Sequence, residues 1–417
     1  MVEISGLQPA VRAWLLDGPL AAFVPAYVAR LQQGRYASST VSQYLGALAH
    51  FAHWMALCRL PASGLDESRI DQFLHDHLAH CGCPARVMRH PREAHGALMP
   101  LLALLRRQGV IAELPRPAGP IADELHRYDA HMRDAHGLAQ GTRTSRLRII
   151  ERLLLYKFAG RSLSFGELRP DDIRRFVAEQ MELVNTTSNA AAINDALRAY
   201  LRWRATHGDA VRPLLGVIAS PANWTLASLP RALKRIEVDR VLSSFTGALR
   251  SPKRGYAVVR LALDLGLRIG EINRLQLEDI DWQRGTVTLR RTKSLRQDVL
   301  PLPAITGKAL EVYVLHERPL TSNRALFVRT LAPRDEPVGV DAIGKVVRRA
   351  FLRAGIAHGG AHALRHTLAC RLVDSGSSIK EVADVLRHRS LNTSLIYAKL
   401  DHGALADVAL PWPRSTP

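Results

Sequence analysis

The stretch GGAHALRHTLACRL, residues 359–372, places His362, Arg365 and His366 within five positions of one apolar helical pattern. His362 and Arg365 are three apart and share one face. An imidazole can move a proton near neutral pH, and a guanidinium can hold an anionic oxygen with paired donors. The plain alternative is a solvated helix face. The pair alone decides little: with 17 His, and 49 Arg among the 57 basic residues, chance gives roughly two His-x-x-Arg pairs in such a chain.

Four more residues follow the same chemistry. Arg268 lies in LGLRIGE, where a turn meets a helix start. Lys293 lies at the basic tip of GTVTLRRTKSLRQDVLPLP, which alternates, turns and alternates again as a β-hairpin. His388 lies in VLRHRS and Tyr397 in SLIYAKL. The order is Arg, Lys, His-x-x-Arg, His, Tyr. Arg268 alone reads equally as a surface cation, and Lys293, His388 and Tyr397 alone read more often as a hairpin-tip charge, a satisfied or solvated His and a half-buried Tyr. Glu271, three residues after Arg268, either buttresses an arginine or forms an ordinary exposed pair.

The motifs LGLRIGE, HALRHTLA and LNTSLIYAKL resemble the catalytic domain of the tyrosine recombinases, also called phage integrases, over about residues 229–400. The resemblance implies that Arg268 and Arg365 grip the non-bridging oxygens of a scissile phosphate. It implies Tyr397 as nucleophile, His362 as its base and Lys293 as the acid for the leaving 5′-oxygen. His388 would bond the phosphate or orient Tyr397. His366 and Thr367 read as helix packing and hydrogen bonding. The arginine pair supplies the charge that a divalent ion supplies elsewhere, so neither metal nor cofactor is expected. One position departs from the family pattern: Arg387 stands where Gly usually precedes the second His.

The elements that must position these groups are mostly helices. Helical patterns run over 254–276 with a turn at Gly266, then 306–316, 340–355, 361–374, 378–387 and 391–399. The expected fold is mainly α with a small β-sheet in the C-terminal domain. Pro-rich breaks at 113–120 and 220–233 divide the chain into 1–113, 121–222 and 229–417. The first two pieces share their spacing. Thr40, Tyr44, Leu48, Phe51 and Trp54 match Thr142, Arg146, Ile150, Leu153 and Tyr156; Leu65, Ile70 and Phe73 match Leu168, Ile173 and Phe176; Leu98 and Gly109 match Leu197 and Gly208. By resemblance, 121–222 is a helical core-binding domain that clamps DNA, and 1–113 is a further copy or relative of it.

The net charge of +19 and pI near 10.5 point to a polyanionic partner, nucleic acid first. Arg143 and Arg146, at the helix start GTRTSRLR, are candidates for DNA-backbone contacts, and TTSNAAAIND (186–195) could approach a groove. The absence of a leader pattern or an 18-residue apolar run favours a soluble cytoplasmic protein over a membrane-bound one. Four cysteines make no disulfide framework at this length. HDHLAHCGC (75–83) reads as a helix end with surface histidines, because Cys-x-Cys is poor zinc spacing. The apolar tail residues Leu405, Val408 and Leu410 would dock on a neighbouring protomer, as the resemblance implies, or pack on their own domain. The implied assembly is a homotetramer on two DNA duplexes, with room for a second recombinase or accessory DNA-bending proteins. The activity expected is strand exchange through a 3′-phosphotyrosine and a Holliday junction. A relaxing topoisomerase and a non-catalytic DNA-binding partner are the alternatives.

Overall fold

The computed structural model describes residues 7–83, 90–113, 118–159, 161–183, 187–219, 230–290, 297–357, 359–388 and 390–399, with the side chains of 187–189 outside that description. By packing, the chain forms two compact units: Met1–Ile111 with Leu226–Pro417, and Ala112–Thr225. No helix among the described residues is long and apolar enough to cross a membrane.

The N-terminal segment carries α1 (Pro9–Leu16), α2 (Val24–Gln33), α3 (Ser38–Leu57), α4 (Glu67–Gln72) and α5 (Pro91–Arg107). Leu15, Tyr27, Leu45, Phe51, Phe73 and Leu101 fill its core. The second unit carries α6 (Pro120–Asp134), α7 (Gln140–Phe158), α8 (Pro170–Leu183) and α9 (Thr187–Thr206). Thr40 and Thr142 are each the third residue of their helix, α3 and α7. The matched apolar residues Leu48 and Ile150, Phe51 and Leu153, Phe73 and Phe176, and Leu98 and Leu197 are all buried. Trp54 and Tyr156 part company: the first is buried, the second exposed. Gly109 and Gly208 both adopt the positive φ that glycine tolerates, at +69° and +91°.

The C-terminal segment runs α10 (Arg235–Ser243), α11 (Pro252–Asp264), α12 (Ile269–Arg274), β1 (Ile280–Asp281), β2 (Thr286–Leu289), β3 (Asp298–Pro301), α13 (Ala304–His316), α14 (Val340–Arg353), α15 (Ala361–Asp374), α16 (Ile379–Val385) and α17 (Leu395–Ala398). The fold is helical with one small sheet, as expected. The sheet is antiparallel in the order β1-β2-β3, with Ile280 opposite Val287 and Val287 opposite Leu300. Val287 and Leu289 alternate inward and are buried. The two-residue strand β1 has too short a pattern to be read from sequence. The hairpin tip 291–296, with Lys293, lies outside the described residues, as does the tail with Leu405, Val408 and Leu410.

Local rules set the ends of the helices that matter. Gly359 lets α15 begin against α14: a Cβ there would lie 2.2 Å from the Phe351 ring. Ser378 and Glu381 cap α16 reciprocally, the Glu381 N–H donating to Ser378 Oγ at 3.2 Å and the Ser378 N–H to Glu381 Oε2 at 2.7 Å. Beyond α16 the chain turns through Arg387 at φ +54° into His388.

Candidate active site

Helix α15 is the spine of the site. Its residues Ala363, Leu364, Ala369 and Val373 are buried, so the helix is fixed by packing before its polar groups act. Arg365 is 5% exposed, yet it is not stranded: its guanidinium donates to the carbonyls of Gly266 and Leu386. Burial first, then Arg268 and Arg387, lower its pKa to about 9, which still leaves it cationic at neutral pH. Gly266 adopts φ +57°, and a Cβ there would meet Leu386 at 2.8 Å and Leu368 at 3.0 Å. The glycine therefore allows both the turn between α11 and α12 and the close approach of α15.

Arg268 sits at the N-cap of α12. Its N–H donates to Glu271 Oε2 at 2.9 Å and its Nη1 to Glu271 Oε1 at 2.7 Å. Glu271 is 4% exposed, so of its two readings the buttress is the one realised. Arg387 completes the arrangement, with Nη2 3.0 Å from Glu271 Oε2. Burial pushes the Glu271 carboxyl up; Arg387 and the bonds from Arg268 pull it down further, and the net shift is downward. Glu271 is thus an anion held between two arginines. Arg268 keeps about a third of its side chain in solvent, and Arg387 almost none.

Arg387 occupies the left-handed region that favours glycine, at a cost of roughly 1–2 kcal/mol. Its side chain explains how it is tolerated. Besides Glu271, it donates to the carbonyl of Val385 at 3.0 Å and that of Gly266 at 3.3 Å.

Tyr397, on α17, is 2% exposed. Its hydroxyl lies 2.8 Å from His366 Nδ1. The hydrogen bonding expected of His366 thus goes to the tyrosine. Thr367 does pack, donating to the Ala363 carbonyl at 2.7 Å and accepting the Leu233 N–H at 2.8 Å. Burial pushes the Tyr397 hydroxyl up to about 12, against the pull of Arg365. Burial pulls His366 down, aided by His362 and Arg365, and pulls His362 down, aided by Arg365 and Arg268. Both imidazoles are neutral at pH 7 and can accept a proton.

His388 Nδ1 lies 2.6 Å from Ser394 Oγ, and Ser394 is fully buried at the start of α17. Burial, then Arg365 and Arg268, lower His388 to about 4. Beside these groups, a cleft of about 600 Å³ is lined by Arg231, Arg348, His362 and His366 among others. Five of the six candidates thus converge, and Lys293 lies outside the described residues.

The candidate DNA contacts look different. Arg143 turns inward, its Nε 2.8 Å from Asp129 Oδ1. Arg146 acts on Tyr128, whose hydroxyl burial raises to about 12 while Arg146 pulls it back. Asn194, in the stretch read as groove-facing, is buried and donates to the Ala219 carbonyl at 2.8 Å. The stretch 75–83 also departs from its reading. His75 and His80 are exposed and pair with backbone carbonyls, but His77, Cys81 and Cys83 gather around the buried His50.

Comparison with known proteins identifies the family. The profile of the "Phage integrase family" matches residues 233–403. The chain is 34% identical over 403 residues to "Putative integrase/recombinase y4rA" of Sinorhizobium fredii, covering 95% of each chain. It is 28% identical over 235 residues to the tyrosine recombinase XerA of Thermococcus kodakarensis, covering 56% of this chain and 79% of that one. Among solved structures, the fold resembles XerH recombinase bound to a palindromic difH substrate, with TM-score 0.52, 18% identity and coverage of 81% of this chain and 93% of that one. It also resembles a lambda integrase dimer bound to a core site, with TM-score 0.51, 16% identity and coverage of 70% and 98%. Near full-length identity to y4rA, joined to the profile match over the segment that carries Arg268, Arg365 and Tyr397, settles the family: the chain belongs to the phage integrase family of tyrosine recombinases.

Proposed function

We propose that this protein is a site-specific DNA recombinase that cuts and rejoins strands through a 3′-phosphotyrosine on Tyr397 and a Holliday junction. The observation that carries the assignment is the placement of the Tyr397 hydroxyl 2.8 Å from a ring nitrogen of the helix that also bears Arg365. Nucleophile, proton acceptor and phosphate-binding cation are thereby held on adjoining elements.

The steps follow from the groups present. Arg268 and Arg365 hold the non-bridging oxygens and offset the charge that grows in the transition state. The Tyr397 hydroxyl passes its proton to an imidazole, and its oxygen attacks phosphorus. The bond from phosphorus to the 5′-oxygen breaks, and Lys293 protonates that oxygen. A 5′-hydroxyl from a second strand then attacks the phosphotyrosine and releases Tyr397, so the bond energy is conserved. His388 serves through Ser394, which opens α17, and so sets the tyrosine's position. His366 is nearer the hydroxyl than the sequence indicates, and we assign it a share of the base role with His362.

Double-stranded DNA is the partner that the +19 charge and the phosphate chemistry favour. The assembly is a homotetramer on two duplexes, the segment 121–222 is a helical domain that grips DNA, and 1–113 is a related helical domain. The test is strand exchange between duplexes taken from the region flanking the protein's own gene. Recombinant strands formed without ATP support the proposal. DNA binding with no cleavage or joining would assign the chain a non-catalytic role beside another recombinase.

A further inference from the structure

Outside the active site, four metal-ligating side chains share one point in the N-terminal segment. The ligand atoms of His50, His77, Cys81 and Cys83 all lie within 4.8 Å of one another. His50 comes from α3 and is fully buried. His77 ends a π-helical turn, Phe73–His77, that continues α4. Cys81 and Cys83 follow outside any helix or strand. We propose that these four residues form a structural zinc site.

Three of the ligand–ligand distances are close to those of a tetrahedral zinc site, and the whole set lies within 4.8 Å. Zinc binds imidazole nitrogen at about 2.0–2.1 Å and thiolate at about 2.3 Å, which places two nitrogens about 3.3 Å apart and a nitrogen and a sulfur about 3.6 Å apart. Here the His50 and His77 Nε2 atoms are 3.1 Å apart. Cys81 Sγ lies 3.2 Å from His50 Nε2, and Cys83 Sγ lies 3.6 Å from His77 Nε2. Each imidazole nitrogen offers one in-plane direction, as an N–H or a lone pair. His50 Nε2 nevertheless meets both His77 and Cys81, so a hydrogen bond serves one neighbour and leaves the other facing it. A cation at the centre serves all four. Two thiolates and two neutral imidazoles also cancel the charge of a divalent ion.

The surroundings suit a structural rather than a catalytic ion. Phe73 packs edge-on to His50 and stacks on His77, with ring centroids 5.3 Å apart in both pairs, and Trp54 lies beside His77. All four ligand positions come from protein, which closes the coordination shell. The site ties α3 to the chain that leaves α4. The π turn, a form that recurs at functional sites, brings His77 to this point while His75 and His80 face solvent.

The test uses the full chain, made without a polyhistidine tag, supplied with zinc and purified without chelator. Metal analysis should find about one zinc per chain. The double variant Cys81→Ser/Cys83→Ser should lose it, while His75→Ala/His80→Ala should keep it. Cobalt in the wild-type chain should show thiolate charge-transfer bands and the intense visible bands of a tetrahedral ion, a readout that no unfolded variant can obscure. Chelation should raise the thiols open to reagent from exposed Cys58 alone to Cys58, Cys81 and Cys83. A wild-type chain that holds no zinc after exposure to it overturns the site. So does cobalt lacking thiolate bands, or zinc retained by the cysteine double variant. None of these outcomes depends on recombination.

Discussion

The hydroxyl of Tyr397 and Nδ1 of His366 are 2.8 Å apart, a bond that joins α17 to α15 across 31 residues of sequence. If His366 accepts the tyrosine proton, His366→Ala should slow single-turnover cleavage by about 10²–10⁴-fold, the usual worth of a positioned base. DNA affinity should change little. A loss of binding with an unchanged cleavage step would return His366 to packing. His362→Ala run beside it divides the base role between the two.

The same imidazoles set a pH dependence. Burial and neighbouring cations hold His362 and His366 below the ordinary histidine value. A base with a lowered pKa stays unprotonated to lower pH, so the acid limb of the cleavage profile should lie below about 6.5. An acid limb above that value would contradict the environment described.

His388 gives a stability counterpart. Its pKa is near 4 in the folded protein against 6.5 ordinarily, so the unfolded chain binds the extra proton first. Stability should therefore rise with pH between about 4 and 6.5 and be lost as pH falls through that window. Denaturant melts should show the wild type losing stability relative to His388→Gln as pH falls through that window, because the variant lacks this proton. Parallel pH curves would show that His388 does not contribute.

Glu271 holds two arginines while almost wholly buried. Glu271→Gln removes the anion and leaves Arg387 buried beside no countercharge, a loss of about 3–5 kcal/mol. Arg387→Gly should cost less, about 1–3 kcal/mol: Glu271 keeps Arg268, and glycine relieves the positive φ. Equilibrium unfolding measures both. A more stable Arg387→Gly would mean that the strained backbone outweighs the ion pair.

Gly266→Ala adds a methyl at a positive φ and against Leu386 and Leu368. The conformational cost is about 1–2 kcal/mol and the overpacking adds about 1–3 kcal/mol. Because the Gly266 carbonyl accepts from Arg365, cleavage should fall by more than the folded fraction does. Cleavage that merely tracks the folded fraction would show that the carbonyl does not position Arg365.

These relationships explain what the sequence showed and what it hid. His362 and Arg365 were legible because three residues of helix put them on one face, and α15 spans 361–374 as its pattern indicates. The departure at Arg387 was visible as a missing glycine, but its compensation was not: the partner, Glu271, is 116 residues away. Glu271 itself, three residues from Arg268, fits an exposed pair or a buttress equally, and only burial decides. His366 read as packing and hydrogen bonding, but its partner, Tyr397, comes from another helix and was not legible. The cluster at 75–83 lacked ordinary zinc spacing because its fourth member, His50, sits on α3. Arg143 looked like a free cation because Asp129, which holds it, belongs to α6.

The central claim is the identity of the nucleophile. Nicked duplexes that trap the cleaved state should yield an SDS-resistant protein–DNA complex, and mass spectrometry of its peptides should place a 3′-phosphonucleotide on Tyr397. Tyr397→Phe should bind the same DNA and form no complex. A covalent complex that persists in Tyr397→Phe, or one mapped to another residue, would contradict the account.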